Sequence, residues 1–387
     1  LRWAVSITIR EQVTDLAGPA VLLLAAGGKR SQIFAACGRR KGAAQSREED
    51  MRDPARAVLW LAAAGVAVLA GISVGGGPVR AEDPNSAPNP YHVVEHWAQL
   101  PAGRVWGQPL GLDIDRDGTS VWIFDRCGAK TCAGSTLAPI QKFDASGKLV
   151  TSFGGGLINW PHGLGTDSDG NVWITDGQAG NGKGETAIKF SPTGKVLMTI
   201  GTPGVAGNGP NQLHGPSDVL VAPNGDIFIA DGHGDNTNDR IVKYSKDGKF
   251  LAAWGHHGSG QGEFNVTHGL AMDSAGRLYV ADRSNNRIQI FDQNGKFIAE
   301  WKQFGRPSGV YIRDDILYAC DSQSGDKVNP PFRRGIRIGS VKDGKVTAFI
   351  PGADPKAEMP EGCTADKNGN VFGGFTAKSD VKKYVKN

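Results

Sequence analysis

From residue 91 onward the chain runs in short apolar stretches with period-two alternation, each bounded by Gly, Asp or Pro. Val172-Trp173-Ile174-Thr175-Asp176 and Leu278-Tyr279-Val280-Ala281-Asp282 are examples, rich in β-branched and aromatic residues. Such runs predict β-strands separated by tight turns. They belong to a longer repeated unit: Pro-x-Gly and an apolar residue, a strand, Asp-x-x-Gly, a strand ending in Asp, a loop, a strand ending in Phe or Tyr, then x-x-Gly-Lys and a last strand. Six copies open at residues 109, 161, 216, 267, 307 and 360. A period near fifty residues with four strands per copy predicts the blades of a propeller. The sixth copy ends at Tyr384-Val385-Lys386-Asn387, before its own fourth strand. The stretch Tyr91-His92-Val93-Val94-Glu95-His96-Trp97 is expected to supply that strand and close the ring, which removes open sheet edges. The expected fold is therefore all-β, a six-bladed β-propeller over residues 91–387 closed by an N-terminal strand, with the Pro- and Asn-rich residues 82–90 as a linker.

Composition supports this reading. The 387 residues include 55 glycines without a Gly-X-Y period, which suits many turns and excludes a coiled coil or helical bundle. The formal charge of +4 is uneven: residues 1–81 hold 11 Lys/Arg against 6 Asp/Glu, leaving 32 against 33 in the rest. A near-neutral body lacks the clustered cations that phosphate binding needs, so nucleic acid is excluded as a partner. Residues 57–77 form an uncharged apolar run preceded by Arg52 and Arg56 and followed by Val79-Arg80-Ala81. Residues 51–81 read as a signal peptide or, given the length of the run, an uncleaved membrane anchor. Met51 stands where such a segment would start, and residues 1–50 read as over-extended upstream translation. The body is thus expected to be exported, periplasmic or secreted, touching a membrane only through an uncleaved leader. Cys127 and Cys132 bracket a short loop that a disulfide can close; Cys320 and Cys363 can pair only if their strands are neighbours, and are otherwise two buried thiols. A ring closed on itself, with no apolar strip on show, is expected to be a monomer.

The first strand of each propeller blade lines the central channel, so the x of Pro-x-Gly recurs at one height around the axis. The six residues are Leu110, His162, Ser217, His268, Ser308 and Glu361. The metal-capable three, His162, His268 and Glu361, fall in alternate blades, a third of a turn apart, where three side chains can converge. Three protein ligands with an open position suit a catalytic zinc, and Fe(II) takes the same donors. Without a metal, these would be polar residues facing channel water. A second column follows the Asp that ends each second strand: Arg126, Gly177, Gly232 with His233, and Arg283. Two arginines at the channel mouth can clamp a carboxylate, or bridge to the blade-end aspartates as structural ion pairs. The aspartates recur in nearly every blade and read as structural. His256 and His257 fall in a Gly-rich loop and are expected to face solvent; His214 borders the channel without an assigned role.

The Pro-x-Gly openings and Asp-x-x-Gly turns resemble NHL repeats, and the body from about residue 91 to 387 resembles the lyase of the peptidylglycine α-amidating family. The resemblance implies a six-bladed propeller whose zinc is held by His from alternating blades, and which cleaves a peptidyl-α-hydroxyglycine to a peptide amide and glyoxylate. Pro161-His162-Gly163-Leu164 and Val266-Thr267-His268-Gly269 match the first two zinc segments, and Met359-Pro360-Glu361-Gly362 stands at the third. Ile123-Phe124-Asp125-Arg126 and Ala281-Asp282-Arg283 match the segments of the two active-site arginines. Three positions depart from the family: Glu361 replaces the third zinc His, Gly362 replaces an acidic residue that helps bind structural calcium, and His233 falls near the active-site Tyr. The implied roles are metal binding for His162, His268 and Glu361, substrate clamping for Arg126 and Arg283, and proton transfer for His233. The implied substrate is a small molecule or peptide. The competing reading is a non-enzymatic NHL-repeat binding module of the cell envelope, and after it a metal-dependent lactonase on the same architecture.

Overall fold

The computed structural model describes residues 83–354 and 358–387. The leader assigned to residues 51–81 and the upstream segment 1–50 lie outside the described residues, and among those described no helix is long and apolar enough to cross a membrane. The strand β1 (Tyr91–Val94) comes first. Blade one follows as β2 (Gly111–Ile114), β3 (Val121–Phe124), β4 (Ile140–Phe143) and β5 (Leu149–Phe153), and blade two as β6 (Pro161–Thr166), β7 (Val172–Asp176), β8 (Thr186–Phe190) and β9 (Val196–Ile200). Blade three is β10 (Pro216–Val221), β11 (Ile227–Asp231), β12 (Arg240–Tyr244) and β13 (Phe250–Trp254); blade four is β14 (Thr267–Met272), β15 (Leu278–Asp282), β16 (Arg287–Phe291) and β17 (Phe297–Trp301). Blade five is β18 (Pro307–Arg313), β19 (Ile316–Asp321), β20 (Gly335–Ser340) and β21 (Val346–Pro351), and blade six has β22 (Pro360–Ala365), β23 (Val371–Phe375) and β24 (Asp380–Lys386). Every blade is an antiparallel four-stranded sheet, and β1 completes the sixth by pairing Tyr91 with Lys386 through Val94 with Lys383. The chain is an all-β six-bladed propeller closed by its N-terminal strand.

The repeated motif has a physical cause at each end of the blade. At the Asp-x-x-Gly turn of blade two, Asp167 Oδ1 accepts the backbone N–H groups of Asp169 and Asn171 at 3.0 and 2.9 Å. Gly170 closes the turn at φ +82°, where a side chain is strained. At the channel, the inner strands approach so closely that a Cβ on Gly163 would lie 2.5 Å from Asp218 Cα. The apolar core lies between blades: Trp173 and Ala187 of blade two pack with Val219, Ile229 and Val242 of blade three. Residues 83–90 run along blade five. There Asn85 Oδ1 accepts from Arg337 Nη2 at 2.8 Å and from the Arg333 backbone N–H at 2.9 Å, and Phe349 N–H donates to Pro88 O at 3.0 Å.

Candidate metal and anion centre

The inner strands bound a channel cavity of about 130 Å³, lined by residues of β6, β10, β14, β18 and β22 together with β2. Above it, a mouth cavity of about 210 Å³ is lined by Gln108, Leu110, Arg126, Trp160, His162, His233, Arg283, Gln323, Glu361 and Thr376. His162 and Glu361 line both, so the residues of the x column stand where channel and mouth meet.

The structure brings His162, His268 and Glu361 together and adds His233: one ligand atom from each lies within 4.8 Å of the others. His162 is carried by β6, His268 by β14 and Glu361 by β22, while His233 follows β11 on the loop after Gly232. The rings of His162 and His268 are 4.7 Å apart between centroids, and His233 stands 4.5 Å from the first and 5.1 Å from the second. The Nδ1–H of His162 donates to Ser217 O at 2.6 Å and that of His268 to Ser308 O at 3.1 Å. Each carbonyl belongs to the x residue of the next blade. These contacts fix both tautomers and leave Nε2 as the lone-pair atom, the arrangement by which outer groups orient metal-binding histidines.

One contact tests whether these donors fit a cation. The Nε2 of His268 is buried without a hydrogen-bond partner and faces Glu361 Oε1 at 3.1 Å. Burial first, then the positive charge of Arg283, holds His268 well below its usual pKa. Burial pushes Glu361 upward, but Arg283 and the neighbouring histidines outweigh it and keep the carboxyl below its usual range. Two lone pairs therefore face each other. Ligand atoms bound to zinc at ~2.0–2.1 Å with tetrahedral angles stand about 3.3 Å apart, so the 3.1 Å separation suits a shared cation. Among the described residues, this is the only His/Cys/Asp/Glu group with that convergence.

The two arginines of the second column behave differently. Arg283 Nη1 donates to Glu361 Oε1 at 3.0 Å, while its Nε is buried without a partner. Arg126 forms no ion pair: its Nε donates to Pro161 O at 3.1 Å, its Nη1 to Gln108 Oε1, and its guanidinium lies 3.8 Å from the centroid of the Trp160 ring. Burial lowers the pKa of this guanidinium to about 10. Neither arginine takes the structural alternative of bridging to a blade-end aspartate. Those aspartates hold the mouth loops instead: Asp176 accepts the backbone N–H of Asn159 and Trp160 at 2.9 and 2.6 Å, and Asp231 that of His214 at 2.6 Å. His233 has its pKa lowered well below the usual value, by burial first and then by His268 and Arg283.

The remaining sequence expectations concern residues beside this cluster. His256 and His257 are exposed and lean on Glu263 and Asp239. Cys127 and Cys132 are disulfide-bonded, whereas Cys320 and Cys363 are buried free thiols. A Cβ on Gly362 would overlap the Leu110 carbonyl oxygen, so the calcium-binding acidic residue of the resembled family has no room there. Sequence reasoning missed Gln108, Trp160 and Arg306. All three occupy the position just before the motif's Pro, and reading that column around the ring would have found them.

An NHL-repeat family model matches residues 264–291. The chain is 36% identical over 156 residues to human NHL repeat-containing protein 3, covering 39% of this chain and 44% of the relative. It is 32% identical over 309 residues to peptidyl-glycine alpha-amidating monooxygenase B of Xenopus laevis, covering 74% of this chain and 34% of the relative. It is also 35% identical over 150 residues to peptidyl-alpha-hydroxyglycine alpha-amidating lyase 1 of Drosophila melanogaster, covering 38% of this chain and 24% of the relative. The chain thus spans less than half the length of these curated relatives. The chain is a six-bladed propeller with an NHL-repeat match over residues 264–291, and it is similar to the peptidyl-α-hydroxyglycine α-amidating lyases.

Proposed function

We propose that this chain is an exported, metal-dependent lyase that cleaves the C–N bond of a peptidyl-α-hydroxyglycine-like substrate at the channel mouth. The observation that carries the proposal is the 3.1 Å approach of His268 Nε2 to Glu361 Oε1, two ionisable groups whose lone pairs face each other. His162, His268 and Glu361 would hold the ion, zinc or Fe(II). A bound ion of this kind supplies a Lewis acid for the carbinol oxygen. Arg126, stacked on Trp160 without a carboxylate partner, holds the substrate carboxylate. Arg283 orients Glu361 through Nη1 and retains its Nε–H for the substrate carbonyl. His233 is neutral at pH 7 and has no side-chain hydrogen bond fixing either ring nitrogen, which suits a proton carrier. It accepts the carbinol proton as the C–O bond becomes C=O and the C–N bond breaks, then returns that proton to the departing amide nitrogen. The products are a peptide amide and glyoxylate, and no proton or electron is left over. The Cys127–Cys132 disulfide supports an oxidising, exported setting, and a ring closed by β1 suits a monomer. Calcium has no part in this reading.

The test is elemental analysis of the purified protein beside a His162→Ala/His268→Ala variant, with glyoxylate release from an N-acyl-α-hydroxyglycine as the second readout. About one zinc or iron per chain, lost in the variant together with turnover, is the expected result. Absence of metal after reconstitution, with no glyoxylate formed, would leave the second reading. That reading is an NHL-repeat binding module, favoured by the similarity to NHL repeat-containing protein 3.

A further inference from the structure

A third guanidinium stands behind the mouth, one contact removed from its lining. Arg306 directly precedes Pro307 of β18. Its Nε donates to Gln323 Oε1 at 2.8 Å, its Nη1 to Asn286 Oδ1 at 3.0 Å and its Nη2 to Ser284 Oγ at 3.0 Å. Gln323 lines the mouth cavity together with Arg126 and Arg283. All three acceptors are neutral, and three of the five N–H groups of a guanidinium are used, which leaves two for a ligand. The carboxylates close by are already engaged: Asp125 with Arg104 at 3.0 Å, Glu361 with Arg283 at 3.0 Å and Asp321 with Arg337 at 3.3 Å. Among the described residues, none stands within ion-pair distance of Arg126 or Arg306.

The charge balance of the mouth follows. In and beside the mouth, three arginines accompany one carboxylate, Glu361, which pairs with Arg283, so the charges of Arg126 and Arg306 have no carboxylate partner before any metal ion is added. Holding a surplus of one sign in a partly dry cavity is costly unless the ligand brings the opposite sign. Burial and the nearby charge of Arg283 lower the pKa of Arg306, the same penalty seen from the proton's side. The rigid neutral cradle also orders the Arg306 fork in advance, so little conformational entropy is lost when an anion docks.

We propose that the mouth selects a substrate with two anionic groups: the carboxylate beside the cleaved bond on Arg126, and an acidic side chain of the preceding residue on Arg306. This rests on the lyase reading above and specifies its substrate class as acidic peptides.

Calorimetric binding of two dead-end peptides tests it, N-acetyl-Glu-Gly and N-acetyl-Gln-Gly, which match in shape, differ by one charge and lack the hydroxyl needed for cleavage. The metal-loaded protein is expected to bind the Glu peptide about tenfold tighter at low salt, as one added charge-assisted contact implies. Arg306→Gln should erase that preference, and Arg306→Lys should keep part of it. Equal affinities in the unaltered protein, or a preference that survives in Arg306→Gln, would overturn the inference. Glyoxylate release from the two hydroxylated peptides separates the levels of the argument. Turnover of both without preference sinks only the acidic-substrate inference; no turnover and no binding of either sinks the lyase reading beneath it as well.

Discussion

Replacing Glu361 by Gln separates a metal ligand from an ordinary ion-pair partner. In the metal-free protein the amide fits the place of the carboxylate: Oε1 both accepts from Arg283 Nη1 at 3.0 Å and faces Nε2 of His268 at 3.1 Å, so an amide oxygen in that position keeps the Arg283 bond and leaves the orphaned Nε2 as it is. What is lost is the charge on the acceptor. A hydrogen bond to a charged group contributes ~1.5–3 kcal/mol against ~1 kcal/mol for a neutral one, so the metal-free variant should be destabilised by only about 1–2 kcal/mol. Binding of zinc should suffer far more, because a neutral amide oxygen is a poor donor to the ion. Removing an outer-shell partner already costs ten- to a hundredfold in affinity, and loss of an inner ligand should exceed a hundredfold, ~2.7 kcal/mol or more. Competition for zinc against a chromophoric chelator measures the second quantity, and urea unfolding with and without chelator measures the first. A Glu361→Gln protein that binds zinc as tightly as the unaltered one would refute the ligand role and reduce the pair to a plain ionic contact.

Two further outcomes follow from the same geometry. His233→Ala should retain its metal while kcat falls about a hundredfold or more, the size of a lost general base; loss of metal in that variant would instead make His233 a ligand. Asp218, in the channel, accepts the backbone N–H groups of Val219 and Leu270 at 2.9 and 2.8 Å, and its pKa is raised to about 7 by burial, with Asp113 adding to the rise. A carboxyl whose pKa rises on folding contributes stability that is complete below its unfolded pKa near 4 and lost as the pH climbs through 7. The stability deficit of Asp218→Asn should therefore shrink between pH 4.5 and 8 by about 3 kcal/mol, since the raised pKa lies ~2.5 units above the lower pH and each unit corresponds to ~1.4 kcal/mol. Urea midpoints that differ by the same amount at both pH values would contradict this.

What the sequence disclosed, and what it withheld, follows from the symmetry of the fold. A propeller turns equivalent positions in the chain into a ring at one height, so a column of six residues can be read as a circle. That is why the six blades, the closure of β24 by β1 and the convergence of His162, His268 and Glu361 were legible in the chain alone. The glycine after x belongs to the same logic, because Gly163 and Gly362 have no room for a Cβ against the neighbouring blade. Blade three breaks the rule with Asp218, whose Cα is the atom that a Cβ on Gly163 would meet. Contacts between unlike positions carry no such signature. Arg283 meets Glu361 from a different column and 78 residues away, so the sequence could offer Arg283 to a substrate carboxylate but not show that the protein already supplies one. Arg306 escaped for a related reason. It sits one place before the repeated Pro, and its partners Ser284, Asn286 and Gln323 lie on loops of two blades whose lengths do not repeat. Repetition builds the ring and centres the donors, and the irregular loops decide which charges at the mouth remain free to meet a substrate.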